Sequence, residues 1–94
     1  MKITITDIAW GTDRKTGKVS EKVVGKYSFD FDTVGPLPAI GPARKVFEIT
    51  ELIGSSATIL LNHKGKTVTL TSGDSYEYHP VSMDGGHIYI IKLK

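Results

Sequence analysis

The stretch from Lys18 to Asp32, KVSEKVVGKYSFDFD, constrains this chain most. Val19, Val23, Tyr27, Phe29 and Phe31 fall on odd positions; Lys18, Ser20, Lys22, Lys26, Ser28, Asp30 and Asp32 fall on even ones. Successive side chains of a strand point to opposite faces, so this alternation describes one long strand with a core side and a water side. Glu21 and Val24 break the pattern, and Gly25 interrupts it. A glycine inside a strand often marks a sharp bend. The expectation is a ribbon over 18–32 bent near Gly25.

Its partner is the first strand, residues 2–10. Ile3 and Ile5 are odd, whereas Ile8 and Trp10 are even. One inserted residue near Thr6 or Asp7, a β-bulge, would bring all four to one face. The polar turn GTDRKTG (11–17) closes a hairpin. Pairing Trp10 with Val19 and Ile8 with Glu21, then bulging once, sets Ile5 against Val23 and Ile3 against Gly25. The first strand then runs out, so Phe29 and Phe31 are expected to pair in a second sheet.

Residues 33–45 hold three of the four prolines. They are read as an irregular connection, apolar enough to lie against the body. In VFEITELIG, Pro42 and Gly54 stand where the N1 and C′ residues of a helix would. Val46, Phe47, Ile49 and Thr50 are strand formers, and the strand reading is preferred. ATILLNH and KTVTLTS flank Lys64-Gly65 as a two-residue hairpin loop, with Ile59 opposite Leu70 and Leu61 opposite Val68. Ser72-Gly73-Asp74 turns the chain into SYEYH, and Pro80–Gly86 forms the loop before HIYIIKLK. Ile88 and Ile90 share one face of that last strand; Tyr89, Ile91 and Leu93 share the other. Apolar residues on both faces imply a central strand, or one covered by another chain. The whole reads as a single all-β domain over 1–94. It is a small β-sandwich or partly open barrel of six to seven mostly antiparallel strands.

Composition excludes several functions. There is no cysteine, which removes disulfides, thiolate metal sites and cysteine nucleophiles. The same absence favours a reducing compartment, so a cytoplasmic location is expected. No apolar run approaches the roughly 18–20 residues of a membrane span. The N-terminus lacks the form of a signal peptide, although a chain trimmed of its leader would read the same. A net charge of +2 and a pI near 8.9 are too mild to point to nucleic acid.

Each candidate site has a plainer role beside the functional one. If Tyr78 faces Ile88 across the last hairpin, His79 faces His87, with Glu77 two residues along. Two imidazoles and a carboxylate suit zinc or iron, and suggest a metal-binding or cupin-like enzyme. The plainer role is two solvated histidines beside a glycine-rich turn, and it is preferred. His63 lies at another turn and is left out of this group. Lys18, Lys22 and Lys26 recur along the outward side of the long strand, extended by Arg14 and Lys15, and are read as solubilising charge. Trp10, Tyr76, Tyr78 and Tyr89 could stack on a sugar, as in a carbohydrate-binding module, but are read as core and rim. Asp30 and Asp32 lack a cleft. No catalytic residue and no cofactor is assigned. The sequence points instead to a non-enzymatic module that binds a protein partner or a second copy through a sheet edge or its last strand.

Overall fold

The computed structural model describes residues 1–80 and 85–94 of the chain. It contains β1 (Lys2–Thr12), β2 (Val19–Asp30), β3 (Gly35–Pro36), β4 (Glu48–Ile53), β5 (Ser56–Leu60), β6 (Thr67–Thr71), β7 (Ser75–Tyr78) and β8 (Gly85–Leu93). These strands form two antiparallel four-stranded sheets, β2-β1-β8-β7 and β3-β4-β5-β6. The sheets do not close into a barrel, so the sandwich expected from the alternation is the fold. VFEITELIG contributes strand β4. The strand missing from the sequence reading is β3, whose Pro36 lies at a sheet edge, where a missing amide donor is tolerated. The loop read over Pro80–Gly86 falls largely on 81–84, outside the described residues. No helix among the described residues is long and apolar enough to cross a membrane.

The first hairpin differs from expectation in a way that reorganises everything near it. The bulge exists, between Asp7 and Ile8 in register, but the extra residue is Val24 of β2, not a residue of β1. Trp10 therefore pairs with Glu21, Ile8 with Val23, Ile5 with Tyr27 and Ile3 with Phe29. The expectation that Phe29 and Phe31 pair in a second sheet is overturned. Lys2 reaches Asp30, and Met1 and Phe31 exchange hydrogen bonds of 2.6 and 2.8 Å. The β5–β6 hairpin also moves by two residues. Ile59 pairs with Val68 and Ala57 with Leu70, and the backbone pair Leu61–Lys66 leaves a four-residue loop at 62–65. An even shift keeps each side chain on its face, so the core assignment survives the register error.

The core fills the space between the sheets. From β2-β1-β8-β7 come Ile3, Ile5, Tyr78, Tyr89, Ile91 and Leu93; opposite them stand Phe47, Ile49, Ala57, Ile59, Leu61 and Leu70. Phe47 meets Tyr78 and Tyr89 edge-on, with ring centroids 6.2 and 5.4 Å apart, the favoured aromatic arrangement. The proline-rich connection lies against this core as expected, burying Leu37 and Ile40. Ile40 then pairs with Lys45 through two 2.9 Å hydrogen bonds, closing a tight loop over 41–44.

The molecule measures 49 × 24 × 21 Å. The long dimension follows from β1 and β2, whose 11 and 12 residues span about 36–40 Å at strand rise. Residues 13–24 are exposed throughout.

Candidate functional site

Two places combine accessible surface with chemistry that the fold itself does not need. Both follow from β1 running straight. Its register with β8 is unbroken from Ile3–Leu93 to Gly11–Gly85. Ile3, Ile5 and Asp7 thus share the inner face, while Ile8 and Trp10 share the outer face, because directly paired residues stand on one side of a sheet.

On the outer face, Val23, Ile8 and Ile88 form a row across three neighbouring strands. Ile90 and Trp10 flank that row, and Val19 lies further along β2. Val23 is 51% and Val19 55% exposed; Ile8, Trp10, Ile88 and Ile90 are half-buried. The opposite outer face of the molecule is different. There Thr58 meets Thr69 at 2.9 Å and Ser56 meets Thr71 at 2.8 Å, a hydroxyl ladder suited to water. Ile3, Ile5, Ile8 and Trp10 do not share a face, contrary to expectation, because a bulge in β2 leaves the phase of β1 untouched. Nor do Val19 and Val23 share the core side of Tyr27 and Phe29.

On the inner face, Asp7 is fully buried. Its Oδ1 accepts a 2.6 Å hydrogen bond from Nδ1 of His87. Its Oδ2 has no partner among the described residues. Gly41, at φ +68°, lies over that oxygen so closely that a Cβ there would approach it to 2.5 Å. His87 is held flat against Tyr89, with centroids 6.0 Å apart and 14° between planes. Burial, then the charge of Asp7, then Tyr78 and Tyr27, push the Tyr89 phenol up to about 12.

A cavity of about 340 Å³ opens beside this pair, lined by Lys45, Asn62, His63, Tyr78, Pro80, Gly86, His87 and Tyr89. Lys45 reaches it from the loop before β4. Its Nζ donates to the carbonyl of Leu61 at 2.5 Å and sits over the rings of Phe47 and Tyr78. Burial lowers the pKa of this amine below the usual lysine value.

The residues singled out from sequence are only partly assembled. Tyr78 pairs with Tyr89, not Ile88, so the last hairpin is one residue out of the expected register. An odd shift reverses faces. Glu77 stands opposite Ile90, on the outer face, and contacts His79 at 3.2 Å in an exposed position, while His87 faces inward. The set Glu77, His79 and His87 does not converge, and no three potential ligands gather elsewhere among the described residues. His63, left out of that group, lines the same cavity as His87. The lysine stripe is split by the bulge: Lys26 pairs with Thr6 on the outer face, Lys22 with Ala9 on the inner. Of the four aromatic residues, Tyr78 and Tyr89 are buried and Tyr76 packs on the core, whereas Trp10 stands on the outer face. Asp30 and Asp32 border a shallow depression with Phe29, Phe31 and the 33–38 segment. No family model, curated protein or solved structure matches the chain.

Proposed function

We propose that this protein acts by binding, and that the outer face of the β2-β1-β8-β7 sheet receives a second copy of the same chain. The observation that carries this reading is the row Val23, Ile8 and Ile88, apolar side chains turned outward on three adjacent strands. A contiguous exposed apolar patch rimmed by polar residues is the kind of surface that proteins use to meet a partner.

The choice of a second copy rests on charge. Next to the apolar row runs Lys26, Thr6, Ile90, Glu77, one residue from each strand. Its ends carry opposite charge and lie about 14 Å apart, too far to pair within one chain. A two-fold axis parallel to the strands lays β2 of one copy over β7 of the other. The row then meets its own reverse, with each Lys26 above the other copy's Glu77, while the isoleucines pack between them. Such an isologous contact is the commonest symmetry of homo-oligomers, and aligned sheets pack face to face about 10 Å apart. A footprint of about 15 × 20 Å is small, which implies a reversible dimer of micromolar or weaker affinity.

Sedimentation equilibrium between about 1 µM and about 1 mM tests this. The expected result is a monomer–dimer equilibrium that Ile88→Lys abolishes. Lys26→Glu should weaken it about tenfold, and Lys26→Glu with Glu77→Lys should restore it. A monomer at every concentration overturns the reading, and a double swap that fails to restore association overturns the two-fold arrangement.

A further inference from the structure

Tyr78 is buried and pairs with Tyr89, so its chain neighbours Glu77 and His79 both turn to the outer face. Glu77 ends the row that begins at Lys26. Continuing the register one step past Tyr78–Tyr89 sets His79 beside Ile88, at the β7 end of the row Val23, Ile8 and Ile88. The apolar row therefore finishes in an imidazole. His79 and Glu77 are open to water, 56% and 62% exposed, and Nε2 of His79 lies 3.2 Å from Oε2 of Glu77. The other two histidines stand elsewhere: His63 in the 62–65 loop and His87 on the inner face.

The contact between His79 and Glu77 has two forms. With a neutral ring it is one hydrogen bond, which the carboxylate accepts. With a protonated ring it is an ion pair, and the imidazolium draws on the charge that Glu77 presents outside the chain. In the two-fold dimer the other copy's Lys26 stands over Glu77, and the other copy's Val23 stands over His79. One row to either side of that Val23 are Lys26 and Glu21, each about 7 Å away along the strand. Their opposite charges act on an imidazolium at similar distances and largely offset each other. On β8 the nearest outward charge among the described residues is Lys92, opposite Ser75 and two rows away. Two effects of protonation remain. The charged ring loses water against Val23, and it competes with Lys26 for Glu77. Both oppose association, and both disappear when the ring is neutral.

We propose that protonation of His79 opposes the dimer, so that self-association strengthens as the solution passes from mildly acidic to mildly alkaline. The control rests on the dimer proposed for the outer face and acts at the same surface. Histidine is the side chain whose ordinary titration falls between about pH 5 and pH 8. A group that associates in its deprotonated form makes association more favourable as pH rises through that window. Two-fold symmetry places the contact twice in each dimer, so the effect enters twice.

Sedimentation equilibrium of the unmodified protein at about pH 5.5 and about pH 8, at constant ionic strength, tests this. The dissociation constant should be about tenfold larger at the lower pH, about threefold from each of two surface contacts. His79→Gln, which cannot take up the proton, should remove the difference, while His63→Gln should keep it. Equal association of the parent at both pH values, or a pH response that survives in His79→Gln, overturns the role of His79 and leaves the dimer standing. A parent that is monomeric at pH 8 overturns the dimer itself, and its control falls with it.

Discussion

Replacing His87 by alanine should damage this protein more than replacing His87 and Asp7 together. Asp7 is fully buried, one of its oxygens has no partner, and the other depends on Nδ1 of His87 at 2.6 Å. Gly41 lies beside the unpartnered oxygen, where any larger residue would press a Cβ onto it. His87→Ala leaves a buried carboxylate without its proton donor, a change that typically costs about 3–5 kcal/mol. A chain of 94 residues has a total stability of about 5–14 kcal/mol at ordinary values per residue, so this single change removes a large share. The double change Asp7→Ala with His87→Ala removes the charge along with its partner. What remains is a small cavity, at about 1–3 kcal/mol. Asp7→Ala alone should cost less than His87→Ala, because His87 is 26% exposed and water can satisfy its ring. Urea denaturation, followed by far-UV circular dichroism and Trp10 fluorescence, gives the four free energies of the cycle. The order expected is His87→Ala least stable, with the double variant recovering about 1–2 kcal/mol or more. If His87→Ala lies within about 1 kcal/mol of the parent, or the two losses simply add, Asp7 is not held as described.

Gly41→Ala should lose at least about 2 kcal/mol in the same assay, because φ +68° disfavours a Cβ and that Cβ would press on the Asp7 carboxylate at 2.5 Å. A loss below about 0.5 kcal/mol would show that the loop over 41–44 yields freely. Tyr89 gives the fold an alkaline limit. Folding raises its pKa from 10.0 to about 12, so the neutral phenol is the form the native state favours. The stability this contributes is complete below pH 10.0 and lost as pH rises towards about 12, a fall of about 2–3 kcal/mol. Tyr89→Phe should flatten that part of the stability–pH curve, and an unchanged slope in the variant would assign the loss to other groups.

Much of the fold was legible because period-two alternation survives errors in pairing. The β5–β6 hairpin pairs two residues away from the register expected of it, yet Ile59, Leu61, Val68 and Leu70 still share one face, which is the core face. The last hairpin was misregistered by one, and there the site reading failed, since Glu77 and His79 changed sides relative to His87. Local sequence could not fix that register, because the turn joining the strands is long and its geometry sets the pairing. The buried pair did leave a signal. Asp7 is in phase with Ile3 and Ile5, and His87 with Tyr89, Ile91 and Leu93. A charged residue in phase with a core stripe means either a slip of the strand or a buried group with a partner. Alternation alone favours the slip, because it brings Ile8 and Trp10 into phase with Ile3 and Ile5. His63 could not have been joined to His87 by any local rule, as they approach the cavity from opposite sheets.

The choice between those two meanings turns on how many neighbours a strand has. β1 is hydrogen-bonded on both sides, to β2 and β8, while β2 is an edge strand with one neighbour. An extra residue in β1 would disrupt two ladders; the same residue in β2 disrupts one. The less costly place for the insertion is therefore β2, and Val24 is where it lies. With β1 regular, its phase dictates that Asp7 turns inward and Ile8 outward. A fully buried carboxylate must then be met from the adjacent strand, which His87 does, two places from Tyr89 on the same face of β8. Ile8 must find apolar company outside, which Val23 and Ile88 begin to supply and a second copy would complete. The buried pair and the exposed row are thus two consequences of a β1 that runs without a bulge. Deleting Val24 would test their common origin. Without it, Val23 is followed directly by Gly25 and stays opposite Ile8, so the row Val23, Ile8 and Ile88 is kept in a regular ladder. Self-association and the Asp7–His87 pair should therefore both persist, and loss of either would show that the phase of β1 depends on the bulge in β2.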